Sequence, residues 1–504
     1  MNNRRKILAG SSLRVMDLFI NMIIAIAIMP FIIKSLGDRL YGIWVLIAGI
    51  IGYYGILDFG LSTAVSRFVS RCIGEGKEDQ DKQINTILST SFVFFVIVGI
   101  VVLLISIGLA LLAKFYVSNY EDQNIVRVVI ILLGVNIALD FPFKPLYGLL
   151  SSYLRYDYMT YSSITRAIIS NLLIYYFLLK GYGIITMAII NLLVSFIQKG
   201  MIYWFSRITY KKLVINPSKF DFNLIRPMLS YSYKSFISQV CDILRFKIDT
   251  LIIAIYLNVS LVTYYAIGQK LVNYFGSLIL NILGVLVPVF SQQEGRGDYN
   301  AIRKRFIQAT KIAVILSTFI GASIIYYGRT FIHVWMGEGF NDSYIIMVIL
   351  TIPATFALMQ NPGISLLYGL SKHHYYMYIN IMEGVTNLFL SIFLVNIYGI
   401  FGVAYATAIE MIIFKLFVQP YYFCRAIELS ITLYYYVIIV TFIKVITPLI
   451  IYFSIIYHYL EYTLIRIVLL GVLQVLIITP IIFYSGLDGS MRKEIIETLA
   501  FNKK

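Results

Sequence analysis

Charge is scarce in this chain. Only 13% of its 504 residues are Asp, Glu, Lys or Arg, about half of what ordinary soluble domains carry. With 60% hydrophobic residues and a mean hydropathy of +0.83, a core this apolar has no polar shell to enclose it, which excludes a soluble globular protein. The three cysteines, Cys72, Cys241 and Cys424, are too scattered for a disulfide framework or a metal cluster and read as packing residues. The four histidines, His333, His373, His374 and His458, lack metal-ligand spacing, and His373-His374 reads as a solvated pair in a turn. No phosphate loop of the GxxxxGK[ST] kind is present, so no ATPase is expected. A cleaved leader is not expected either, because Met1 to Gly10 has a basic start without a cleavage site, and Arg14 and Asp17 interrupt the apolar run that follows.

Apolar sequence is what the chain has in abundance. A bilayer crossing takes about 20 mostly apolar residues. About fourteen stretches qualify, near 11–33, 40–64, 87–112, 126–150, 161–180, 183–206, 229–257, 262–289, 308–328, 343–367, 375–396, 399–423, 434–457 and 464–485. Helices are expected, because lipid leaves no partner for unpaired backbone groups and barrel-type alternation is missing. The first six stretches look written twice. Tyr147-Gly148-Leu149 recurs as Tyr368-Gly369-Leu370 at an offset of 221, and Leu36-Gly37 falls on Leu257-Asn258 at the same offset. The hairpin at Gly74-Glu75-Gly76-Lys77 falls on Gly295-Arg296-Gly297-Asp298 with one residue of slippage, and Tyr182-Gly183-Ile184 matches Tyr398-Gly399-Ile400. A constant order at nearly constant spacing points to a duplicated six-span unit, as in many secondary transporters.

The formal charge of +16 would suit nucleic acid, but its distribution does not. Most of the 41 Lys and Arg lie in the terminal tails and even-numbered loops. The positive-inside rule therefore puts both termini in the cytoplasm of an inner (plasma) membrane protein. The densest cluster, with Arg207, Lys211, Lys212, Lys219 and Arg226, joins the two repeats and reads as a solvated linker facing anionic lipid. External loops are short, the longest around Lys114 to Ile125. That leaves no room for the acceptor and acid-base groups of a glycan-assembling membrane enzyme. The expectation is a transporter, with no enzyme activity, no metal site and no cofactor.

Ionisable groups inside a span are costly and mark pathways or pairs. Arg14 with Asp17, Asp140 with Lys144 and Arg245 with Asp249 stand one helical turn apart, where side chains meet. Self-neutralisation and a functional role both stay open for them. Lys247 shares a face with neither Arg245 nor Asp249, and Lys270 and Lys444 have no carboxylate within a turn. Each must reach an interface, an acid on another helix or an anionic ligand. Arg14, Arg245, Lys247 and Lys270 are thus candidates to line a cavity for a diphosphate or acidic head group, with Arg as a bidentate fork and Lys as a point charge. The embedded acids Asp17, Asp58, Asp249, Glu383 and Glu410 either balance these cations or carry a coupling proton or sodium ion. The 41 tyrosines, including Tyr53-Tyr54, Tyr264-Tyr265 and Tyr375-Tyr376, read as interfacial belts or packing rather than sugar platforms.

Several short runs carry a resemblance. They are Leu36-Gly37 with Tyr41-Gly42-Ile43-Trp44, Leu57-Asp58-Phe59-Gly60-Leu61 with Arg67, and Tyr264-Tyr265-Ala266 through Lys270-Leu271. Pro288-Val289-Phe290-Ser291, Trp335-Met336-Gly337 and Gly399-Ile400-Phe401-Gly402-Val403-Ala404 extend it over nearly the whole chain. The sequence resembles the polysaccharide transporter family of the MOP exporter superfamily, in particular its Wzx-type O-antigen flippases. The resemblance implies an all-α polytopic protein of two six-helix lobes in a V with two extra C-terminal helices. The expected organisation is an N-lobe at 1–206, a basic cytoplasmic linker at 207–228, a C-lobe at 229–425, and spans 13 and 14 with a tail at 426–504. The implied activity is alternating-access flipping of an undecaprenyl-diphosphate-linked oligosaccharide, an O-antigen or capsule unit, to the periplasmic leaflet. Implied partners are that lipid-linked oligosaccharide, membrane lipids and glycan polymerase or ligase machinery, with no nucleic acid. The alternatives are a MATE-type drug/cation antiporter, a lipid II flippase and, further off, a membrane enzyme of glycan assembly. The excess of unpaired Lys argues against the antiporter.

Overall fold

The computed structural model describes residues 3–75, 78–115, 120–283, 286–370, 372, 374–459 and 463–493. Inside those helices, the side chains of 3–15, 120–121, 231, 233–235, 237–239, 241–247, 282, 287–288, 292, 374 and 458 lie outside the description. The described chain is helical throughout, with no strand among the described residues.

Helix α1 runs Asn3–Gly52, 50 residues. At 1.5 Å per residue that is roughly 75 Å, over twice a hydrocarbon core of about 30 Å. The run breaks at Gly37, whose φ of 76° lies where a Cβ is disfavoured, so the first two expected spans meet there. A 3-10 turn at Tyr53–Asp58 leads into α2 (Leu61–Glu75). There follow α3 (Gln80–Leu111), α4 (Tyr120–Asp140), α5 (Lys144–Ser152), α6 (Tyr156–Leu179), α7 (Ile184–Thr209) and α8 (Phe222–Tyr256). The second half holds α9 (Val259–Leu283), α10 (Leu286–Gly295), α11 (Tyr299–Met336), α12 (Asn341–Met359), α13 (Asn361–Gly369) and α14 (His374–Tyr398). It ends with α15 (Ile400–Met411), a π-helical stretch Ile412–Val418, α16 (Gln419–Ala426), α17 (Ile431–Ile456) and α18 (Leu464–Gly486). Eleven described stretches are long and apolar enough to cross a membrane, the first of them the 60-residue Met16–Glu75. The expected fourteen remains an expectation.

The repeat is visible in the breaks. In the first half the fourth span is interrupted at Phe141–Phe143 and resumes as the nine-residue α5, with Pro145 in its first turn. In the second half it is interrupted at Gln360 and resumes as the nine-residue α13, with Pro362 in its first turn. Proline lacks the N–H that would continue a helix, so it sits where a new one starts. The recurring Tyr-Gly pair lies in α5 and again in α13.

Contacts divide the chain into two units, Met1–Thr263 and Tyr264–Lys504. The core of the first gathers Val65, Leu88, Phe95, Phe141 and Leu149. The second holds Phe290, Phe306, Leu366, Phe423 and Tyr434, and a further cluster in which Leu449 and Tyr452 of α17 meet Ile478 and Ile482 of α18 and Tyr327 of α11. Close approach needs small residues, since lipid gives no hydrophobic drive between helices. A Cβ at Gly402 would come within 2.1 Å of the Leu394 carbonyl oxygen, and one at Gly99 within 2.6 Å of the Ala138 carbonyl oxygen. Opposite faces stay apolar and uncovered, as at Ile465 (73% exposed) and Leu476 (67%) of α18, which suits lipid as solvent.

The lysines of the basic linker, Lys211, Lys212 and Lys219, are exposed, while its backbone is anchored. Asn85 donates to the Lys212 carbonyl at 2.9 Å and accepts from the Val214 amide at 3.0 Å, while Ser89 and Thr90 accept from the Asn216 and Asp221 amides at 3.0 Å each. One polar face of α3 thus holds the backbone at 212–221. Lys212 also pairs with Asp81, and that hydrogen bond raises the Lys212 pKa. Burial, then the Asp81 carboxylate, raises that of Tyr210.

Candidate functional site

Embedded charge marks the candidate site. In the first unit it converges on the broken fourth span. Opening the helix at Phe141–Phe143 turns Asp140 and Lys144 towards different neighbours, so they do not pair with each other as their spacing suggested. Lys144 Nζ instead lies 3.3 Å from Asp58 Oδ2 and 4.1 Å above the Phe141 ring. Asp58 also accepts from the Ser62 hydroxyl at 3.0 Å. Asp140 lies 3.6 Å from Lys199 Nζ, a buried ammonium 2% exposed. Lys199 donates to Ser195 Oγ at 2.8 Å and to Asn136 Oδ1 at 3.4 Å, and beside it Arg166 donates to Gln198 at 2.9 Å. Asp17, near the start of α1, takes hydrogen bonds from Asn21 and Ser163. Asp249 is buried close to Tyr53.

In the second unit a polar ladder, Asn380, Glu383, Asn387 and Ser391, runs buried along one face of α14. Glu383 meets Lys415 of the π-helical stretch at 2.8 Å, with side chains 0% and 4% exposed. Tyr376 places its ring 5.1 Å from the same ammonium, and Asn387 donates to Thr407 at 2.9 Å. The π-helical wind starts two residues after Glu410, itself fully buried. Lys270 stands eleven residues into α9, about 17 Å along it. It is half-buried and has no hydrogen-bond or ion-pair partner among the described residues.

The structure thus treats the expected site residues unevenly. The side chains of Arg14, Arg245 and Lys247 lie outside the described residues. Lys270, for which the sequence offers no carboxylate within a turn, has no partner among the described residues. Asp58 and Glu383 neutralise lysines, Asp17 is hydrogen-bonded, and Asp249 and Glu410 are also engaged with neighbours. Sequence reasoning missed Lys199 and Lys415. Both are mid-span lysines in apolar runs, the signal that singled out Lys270. No group of acids, histidines and cysteines fit to hold a metal ion occurs among the described residues.

Known proteins agree with this architecture. A Bacillus subtilis (strain 168) protein named "Uncharacterized membrane protein EpsK" is 22% identical over 423 residues, covering 81% of each chain. A Shigella flexneri protein named "Putative O-antigen transporter" is 23% identical over 414 residues, covering 79% of this chain and 94% of the relative. Among solved structures, the lipid II flippase MurJ in an inward closed conformation superposes with a TM-score of 0.74 at 17% identity, over 95% of this chain and 99% of MurJ. Residues 39–345 match the family model described as "Polysaccharide biosynthesis protein". With more than half of its length so matched, the chain belongs to the polysaccharide biosynthesis protein family.

Proposed function

We propose that the chain flips an undecaprenyl-diphosphate-linked oligosaccharide, an O-antigen or capsule unit, from the cytoplasmic to the periplasmic leaflet by alternating access. One observation carries the anionic cargo. Every described embedded carboxylate is engaged, whereas Lys270 has no partner among the described residues. A site for cationic drugs needs the reverse, a carboxylate held in reserve, which weighs against the antiporter reading. A desolvated ammonium gains most from a phosphate-type charge, since charge-assisted bonds are about twice as strong as neutral ones. Arg14, Arg245 and Lys247 would add forks and point charges to the diphosphate site. Coupling to a proton or sodium gradient would fall to one of Asp17, Asp58, Asp249, Glu383 and Glu410. The membrane is the bacterial inner membrane with both termini cytoplasmic, and a polymerase or ligase would take the cargo outside.

The test is the leaflet distribution of lipid-linked intermediates in a deletion strain, with and without complementation. Accumulation on the cytoplasmic leaflet, cleared by the wild-type chain, is expected. Unpolymerised units outside would point to a later enzyme instead. Arg245→Ala and Lys247→Ala are expected to lower export at unchanged protein level, and unchanged export in both would remove them from the site. The likeness to MurJ favours one other cargo, lipid II. Rescue of a strain depleted of its own lipid II flippase would select that cargo.

A further inference from the structure

Helix α11 carries Arg303, Lys304 and Arg305 near its start and Arg329 26 residues later, roughly 40 Å along the helix. That exceeds the hydrocarbon thickness of about 30 Å. With the basic end cytoplasmic by charge asymmetry, the Arg329 end faces outside. There a cavity of about 260 Å³ opens where α11 turns into α12. Arg329 and His333, one turn apart on α11, line it together with Glu338, Phe340, Asn341 and Tyr344. Gly337, at φ 104°, makes the turn that carries Glu338 there, a conformation that L side chains resist. Arg329 is exposed and has no ion pair or hydrogen bond among the described residues. Glu338 lies 3.5 Å from His333 Nε2 and is otherwise in solvent, 92% exposed.

The geometry points to a binding site for a carboxylate-bearing sugar residue, a hexuronate, in this cavity. Three features select that class. The guanidinium is unneutralised, and its planar fork matches a carboxylate with two parallel hydrogen bonds. Phe340 and Tyr344 line the cavity with aromatic surface, which suits the C–H side of a pyranose and which a bare phosphate would not use. Asn341 and Glu338 supply a donor-acceptor amide and an acceptor for ring hydroxyls. The volume lies just below the roughly 300–1,000 Å³ of pockets for drug-sized ligands, which suits one sugar ring rather than an oligosaccharide. Glu338 tolerates a monoanion held by Arg329 and opposes a dianion. None of the embedded lysines lines this cavity, so free sugar tests it without translocation.

The experiment is calorimetric titration of the purified full chain in detergent with glucuronate, with glucose and inorganic phosphate in parallel. Saturable glucuronate binding is expected, with glucose and phosphate each weaker by about tenfold or more. Arg329→Ala is expected to weaken glucuronate by about tenfold or more, since a hydrogen bond to a charged group contributes about 1.5–3 kcal/mol and 1.4 kcal/mol is tenfold. Arg329→Lys should retain part of the affinity. Asn341→Ala, expected to weaken binding by about threefold or more, serves where Arg329→Ala fails to elute as a folded species. Absence of saturable glucuronate binding to the wild-type chain overturns the proposal. So does equal or tighter binding of glucose or phosphate, or undiminished binding in a folded Arg329→Ala or Asn341→Ala.

Discussion

The two units carry the same broken fourth span but spend their embedded charge differently. In the first, Lys144 and Lys199 are met by Asp58 and Asp140 at 3.3 and 3.6 Å, and Asp140 keeps 34% of its side chain exposed. In the second, Lys415 and Glu383 form a dry pair at 2.8 Å, while Lys270 has no partner among the described residues. A duplicated scaffold thus keeps its backbone breaks and varies its charges. Paired charges of this kind tie helices together, whereas Lys270 stays available for the anionic ligand proposed above.

The dry pair should break hardest. Lys415→Ala leaves the Glu383 carboxylate buried without its ion pair, a loss of about 3–5 kcal/mol. It should cut the folded yield and the unfolding temperature of the purified chain. Adding Glu383→Gln should recover a large part, and no recovery would mean that the two do not act as a pair. Lys199→Ala should cost less, about 1–3 kcal/mol, because the Asp140 it abandons still reaches polar surroundings. Equal losses at the two lysines would erase the contrast between the units. Smaller still is Asn85→Ala. Removing its two bonds to the backbone at 212–214 should cost about 1–2 kcal/mol and speed limited proteolysis within 210–221. An unchanged cleavage rate would mean that α3 does not hold the linker.

Much of the fold was legible in the sequence because lipid imposes it. Long apolar runs, a glycine at the first turn and a twice-written Tyr-Gly motif correspond to α1 with its kink at Gly37, and to α5 and α13. The charge pairing was less legible. Spacing along one helix tells which side chains share a face only while the helix is continuous. At Asp140 and Lys144 the chain leaves the α path, and each finds its partner on another helix. Lys199 and Lys415 carried the signal of Lys270, a mid-span lysine with no carboxylate within a turn, but their partners Asp140 and Glu383 lie 59 and 32 residues away and emerge only in the fold. The 3-10 turn at Tyr53–Asp58, which carries Asp58 to Lys144, and the π-helical wind that carries Lys415 have no sequence signature of their own. For Lys270 the same absence of a nearby carboxylate could be read along the chain, but that it stays without a partner among the described residues could not.

The central claim, an anionic lipid-linked cargo held at an unneutralised lysine, is tested most directly at Lys270. The leaflet distribution of lipid-linked oligosaccharide would be measured in the deletion strain carrying the wild-type chain, Lys270→Ala or Lys270→Arg at matched protein levels. The account predicts cytoplasmic accumulation with Lys270→Ala, about tenfold or more slower clearance than wild type, and substantial clearance with Lys270→Arg. Clearance by Lys270→Ala at the wild-type rate would contradict it.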